Sequence, residues 1–128
     1  DKIGSYVKKN GVADRVYYFG EIKPGKELND FYNLGDAMIF PSKAEGFSLV
    51  ILEAMSAGIP VIINKKLQFK LAGSCLKYDN ENDFCNVVKE YILDEEKHIQ
   101  MSLSSRKKIE EEYSWDAIAI EYYKACEV

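Results

Sequence analysis

Histidine occurs once, at His98, and cysteine three times, at Cys75, Cys85 and Cys126, an odd number without a CxxC spacing. That leaves neither a ligand set for zinc nor a disulfide framework, so no metal site is expected and the thiols read as reduced side chains of a cytosolic protein. No apolar run approaches the roughly 18 residues that a membrane-spanning helix needs, and the N-terminus lacks the make-up of a secretory leader. The expectation is a cytoplasmic chain, with peripheral contact at the inner face of a membrane open only to the full-length protein. No lysine or arginine run is long enough to form a basic stripe, and a formal net charge of −4 does not attract nucleic acid. The absence of G-x-G-x-x-G removes support for a dinucleotide oxidoreductase. An initiator methionine is also lacking, and Asp1–Asn10 reads as the end of a helix stopped by Gly11, so the expectation is a chain that starts partway into a fold.

What is present is enough for one domain. With 128 residues, 47% of them apolar, the chain can bury a real core. Its centre is the stretch AMIFPSKAEGFSLVILEAMSAGIPVIIN at 37–64. Ala37–Phe40 and Val61–Ile63 have the short apolar runs of buried parallel strands, and the residues between them form a loop and then a helix. Ser48 reads as the helix N-cap, Gly58 as the left-handed residue past its end, and Pro60 as the block to continuation. Apolar residues from Leu49 to Ala57 surround this helix on nearly all sides, which predicts burial all round. A carboxylate within it, Glu53, then calls for a reason.

Glu53 follows Glu45 by eight residues. Glu45 is placed in the loop at the carboxyl edge of the sheet, where open α/β sheets bind ligands, and Glu53 about 7–8 Å along the helix from Ser48. Between them the helix N-terminus offers free N–H groups to a phosphate, and Gly46 allows close backbone approach. A ligand with a phosphate in the middle and hydroxyl-bearing groups at both ends, as in a nucleoside diphosphate sugar, has the matching shape. Two acids at this distance are common, however, and the pair alone also admits a glycoside hydrolase using two carboxylates, or a non-enzymatic doubly wound interaction module whose acids are incidental.

The rest of the chain supplies the frame. Arg15–Phe19 reads as a strand leaving the sheet at Gly20, Pro24-Gly25 as a turn, and Lys26–Asn33 as a short helix packing Leu28, Phe31 and Tyr32 inward. Cys75–Tyr78 reads as the last strand. A helix from about Asn82 to Leu93 follows, with Phe84, Val87, Val88, Tyr91 and Ile92 on its core face. Asp94 caps a charged helix running to about Tyr113, and Ser114 caps a last one carrying Trp115, Ile118, Ala119 and Tyr122. Strands near 15, 37, 61 and 75 predict an α/β, Rossmann-like doubly wound parallel sheet of about four strands with flanking helices.

The segment PSKAEGFSLVILEAMSAGIPVI at 41–62 closely resembles the donor-site signature of retaining GT-B glycosyltransferases, the large group that includes bacterial lipopolysaccharide and glycolipid sugar transferases and sucrose-phosphate synthases. Pro41-Ser42, Glu45-Gly46-Phe47, Glu53-Ala54-Met55, Gly58 and Pro60-Val61 stand in that family's order and spacing. The likeness extends through VYYFG at 16–20 and LNDFYNLGDAMIF at 28–40 to a weaker YSWD at 113–116. It implies the C-terminal, donor-binding domain of a group 1 transferase, in which Glu45 contacts the donor sugar as the catalytic residue. By the same resemblance Ser42 and the backbone of Gly46, Phe47, Ser48 and Leu49 hold sugar and diphosphate, Glu53 takes the ribose hydroxyls, and Gly20, Glu21 and Ile22 lie near the nucleobase. It implies no cofactor and no required metal, a nucleotide sugar as partner, and an acceptor domain outside this chain.

One stretch departs from that pattern. Where relatives carry a Gly-Gly pair and an acid, this chain has Lys65-Lys66-Leu67-Gln68-Phe69-Lys70-Leu71-Ala72, a crossover short even for parallel strands. Its three lysines read as a solvated loop or as cations facing a phosphate. The resemblance further implies two strands ahead of Asp1, so that a sheet edge lies open and self-association through it is expected.

Overall fold

The computed structural model describes residues 2–126. Helix α1 (Lys2–Lys9) and a 3-10 turn at Ala13–Arg15 lead into a segment without regular structure, then α2 (Lys26–Tyr32). Strand β1 (Met38–Phe40), helix α3 (Leu49–Ser56) and strand β2 (Val61–Asn64) form the central crossover. A second 3-10 turn (Lys70–Ser74) precedes β3 (Leu76–Tyr78), and α4 (Glu81–Leu93), α5 (Glu95–Glu112) and α6 (Trp115–Cys126) complete the fold. The sheet is parallel, in the order β1-β2-β3, with Ile39 opposite Ile62 and Ile62 opposite Leu76.

All four residues of β2 are buried because it is the central strand and carries helices on both faces. Side chains alternate across a pleated strand, so Val61 and Ile63 join Met38 and Phe40 against Ile51, Ala54 and Met55 of α3. Ile62 faces the other way, with Val88 and Tyr91 of α4. The Tyr91 hydroxyl donates to the Asp36 carbonyl at 2.9 Å, tying α4 to the chain that enters β1. Each fully buried aliphatic side chain contributes about 1.5–3 kcal/mol by area removed from water.

Helix α3 does not have the all-round burial that its composition predicts. Leu49 and Val50 are exposed on one side, while Ile51, Ala54 and Met55 are the buried residues. Its C-terminal end follows the expectation: Gly58 has φ +81°, and Gly58 N and Ile59 N donate to Met55 O and Ala54 O. A Cβ at Gly58 would also meet the Ser102 Oγ of α5 at 3.0 Å. Gly58→Ala is expected to lower stability by about 1–2 kcal/mol, chiefly through the left-handed backbone. Urea unfolding checks this, and because the Ser102 side chain can turn away, adding Ser102→Ala should recover only a small part.

Two elements differ from the sequence reading. Arg15–Phe19 forms no strand: Arg15 ends the 3-10 turn, and 16–20 joins no described ladder and is exposed. A strand exists only as part of a hydrogen-bonded ladder, and no described strand lies beside this segment. Among the described residues the sheet therefore has three strands, not four, and β1 sits at its edge instead of centrally, with Ile39 half exposed. On α4, Ile92 is exposed rather than part of the core face, whereas Tyr91 is fully buried. The remaining helices start where the sequence places them, with Asn80, Asp94 and Ser114 accepting from the backbone N–H three residues on.

The short β2–β3 crossover works without an α-helix because Leu67, Leu71 and Ala72 turn into the core from loop and 3-10 turn. Cys75 follows, its thiol donating to Leu71 O at 3.5 Å, and burial pushes that thiol up to about 11 despite the opposing pull of Lys77. Since the thiolate is the reactive form, a thiol reagent at pH 8 should modify Cys85 and Cys126, both exposed, well before Cys75. Three equally fast thiols would contradict this placement.

Candidate functional site

The site begins where β1 leaves the sheet. The loop 41–47 is almost entirely exposed, shaped at its start by the Ser42 Oγ donating to Ala44 O at 3.1 Å. Glu45, Gly46 and Phe47 all face solvent. A Cβ at Gly46 would meet nothing within 4 Å, and its φ lies outside the left-handed region, so no contact within the described chain demands glycine there. Gly20 differs: its φ of +72° is a backbone conformation that favours glycine by itself. Ser48, buried and extended, occupies the N-cap position of α3, but its side chain makes no capping bond. The first-turn amides of α3 therefore have no side-chain acceptor, and the helix dipole adds positive potential at that end.

Glu53 projects from the exposed side of α3. The Tyr32 hydroxyl, at the end of α2, donates to its Oε2 at 3.2 Å, with the Val50 carbonyl at 3.4 Å as a second acceptor. Burial first, and the Glu53 charge second, push the Tyr32 phenol up to about 12, so it remains a donor over the working pH range. Beside this pair lies a cavity of about 310 Å³ between α2, α3 and α5, walled by Pro24, Gly25, Leu28, Leu52 and Ile109. A smaller one of about 140 Å³ lies at the N-terminus of α3, lined by Gly46, Phe47, Ser48 and Lys70. Leu52 and Tyr113 border both.

The structure thus brings Gly46, Phe47 and Ser48 together at one cavity and Glu53 to its neighbour. Ser42, Glu45 and Leu49 stand on the loop and first turn without lining either, and Gly20, Glu21 and Ile22 lead into the Pro24-Gly25 wall. Of the three lysines in the crossover, Lys65 is ion-paired to Asp79, while Lys70 lies 5.2 Å over the Tyr113 ring. The Tyr113 hydroxyl is buried, with no hydrogen-bond partner among the described residues. The sequence reading placed Tyr32 in the core and left Tyr113 without a role. Nothing in local periodicity could have shown either at the cavities, because α2, α3 and α5 meet only in the tertiary fold.

With this geometry in place, likeness to known proteins is informative. The family profile described as Glycosyl transferases group 1 matches residues 2–94. An uncharacterised glycosyltransferase of Methanocaldococcus jannaschii is 29% identical over 117 residues, covering 87% of this chain and 30% of that protein. A GDP-mannose-dependent alpha-(1-6)-phosphatidylinositol monomannoside mannosyltransferase of Mycobacterium tuberculosis is 26% identical over 122 residues, covering 85% and 31%. In structure, a sucrose-phosphate synthase from Thermosynechococcus elongatus superposes with a TM-score of 0.84 at 24% identity, covering 97% of this chain and 32% of that one. That likeness carries the GT-B fold. The chain spans about a third of the length of these proteins. Among the described residues no helix is long and apolar enough to cross a membrane.

Proposed function

Because this chain belongs to the group 1 glycosyl transferases, we propose that it is the donor-binding portion of a retaining enzyme that transfers a sugar from a nucleoside diphosphate sugar to an acceptor bound elsewhere in the full protein. One observation carries the reading: Glu53 is held by Tyr32 beside a cavity on the same helix whose N-terminus is left uncapped by Ser48. A carboxylate accepts from two neighbouring hydroxyls, as a ribose presents them, and the amides at the start of α3 hold a phosphate by N–H donation and dipole. Transfer builds negative charge on the leaving diphosphate, and fixed donors aimed at that charge lower the barrier without a required metal. Glu45, on the exposed loop before the helix, acts on the donor sugar, where a carboxylate stabilises developing positive charge.

A hydrolase using Glu45 and Glu53 fits less well, since the acids are separated in role by a phosphate-ready helix start and the family is one of transferases. The direct test is titration with UDP and GDP at millimolar concentration, followed by amide chemical shifts. Resonances of 46–50 are expected to move first. No response there to either nucleotide, or to their sugar esters, would remove the donor reading.

A further inference from the structure

We infer that Tyr32 is a positioning residue of this site: its hydroxyl holds one carboxylate oxygen of Glu53 so that the carboxylate meets a vicinal diol already oriented. The inference rests on the donor reading above and assigns a role to a residue outside the signature segment. Glu53 is exposed on α3, and an unrestrained glutamate is among the side chains with the most rotamer entropy to lose on ordering. The bond from Tyr32 at 3.2 Å restricts that freedom before ligand arrives, which is how preorganisation raises affinity. Oε1 has no hydrogen-bond partner among the described residues and remains open to a ligand hydroxyl.

A carboxylate oxygen accepts at more than one lone pair, so a ligand hydroxyl can donate to Oε1 or Oε2 while the Tyr32 bond stays in place. The Val50 carbonyl, at 3.4 Å, stands as a second and longer acceptor for the same phenol. A half-buried ring at the end of α2, packed against the core cluster, keeps the hydroxyl there in the free and in the occupied site. Phenylalanine would fill the same space and lose only this function.

The experiment measures binding of UDP and GDP and of their 2′,3′-dideoxy counterparts to the unaltered chain, Tyr32→Phe, Glu53→Ala and the double variant. Tyr32→Phe should weaken the ribonucleotide that binds by about five- to tenfold, leave its dideoxy counterpart within about twofold, and have no further effect once Glu53 is alanine. Because both ligands are read on the same protein, their ratio stays valid even if the variant melts earlier. Equal weakening of ribo and dideoxy ligands, or full additivity with Glu53→Ala, would assign Tyr32 to packing and overturn the inference. Unaltered chain that does not distinguish ribo from dideoxy ligand overturns the ribose assignment of Glu53, and with it the positioning role. Absence of any nucleotide binding overturns the donor reading itself.

Discussion

Replacing Glu45 with glutamine in the full enzyme should lower turnover by roughly 10²-fold, the scale of one lost electrostatic contact in a transition state, while nucleoside diphosphate affinity changes little. Glu53→Gln should do the reverse. It keeps size and hydrogen-bonding capacity but loses the charge, so donor binding weakens by roughly 1.5–3 kcal/mol, the range of a charge-assisted hydrogen bond. The contrast follows from placement: Glu45 stands on the loop before α3, whereas Glu53 sits half-way along the helix at the cavity wall, bonded to Tyr32. Steady-state kinetics with calorimetry of the sugar-free nucleotide decide it, and equal effects of the two changes on nucleotide binding would break the division of roles.

Tyr91→Ala is expected to cost about 3–5 kcal/mol, as large aromatic-to-alanine changes in cores do. Its ring is almost wholly buried beneath β2, stacks on His98 at 4.9 Å, and its hydroxyl alone satisfies the Asp36 carbonyl among the described side chains. Against a typical domain stability of about 5–15 kcal/mol that loss is a large fraction. Tyr91→Phe should cost only the hydrogen bond, about 1 kcal/mol. Burial, and then the Asp36 charge, push this phenol up from 10.0 to about 12. A raised acid favours the fold while neutral, so its contribution is fully present below about pH 10 and is lost as the pH rises through about 12. Chemical denaturation between pH 9 and pH 12 should therefore show a shallower alkaline loss in Tyr91→Phe than in the unaltered chain; parallel curves would mean that Tyr91 does not titrate with unfolding.

Much of the fold was legible because its signals are local. Val61–Ile63 is a run of apolar residues between Pro60 and the polar Asn64-Lys65-Lys66, and Val61–Asn64 is the buried central strand. Gly58 announces the end of α3 through the one backbone region that glycine enters without strain, and Asn80, Asp94 and Ser114 announce helix starts by offering an acceptor to the third amide. Glu45, Gly46 and Glu53 stood out through spacing, on the loop and helix that the proposed donor would bridge.

What the amino-acid order determined by itself, then, is whatever depends on neighbours close along the chain: helix caps, the βαβ unit, and the eight-residue spacing of Glu45 and Glu53. Tertiary structure alone decided the rest. The VYYFG segment has strand composition, yet a strand needs a partner across the ladder, and among the described residues none stands beside it. Helix α3 is apolar nearly all round, yet only one side meets the sheet, so Leu49, Val50 and Glu53 face outward. Tyr32 looked like a core residue in sequence. It becomes the partner of Glu53 only because α2 and α3, 21 residues apart at that contact, are packed side by side, and proximity of that kind has no signature in the order of residues along a single element.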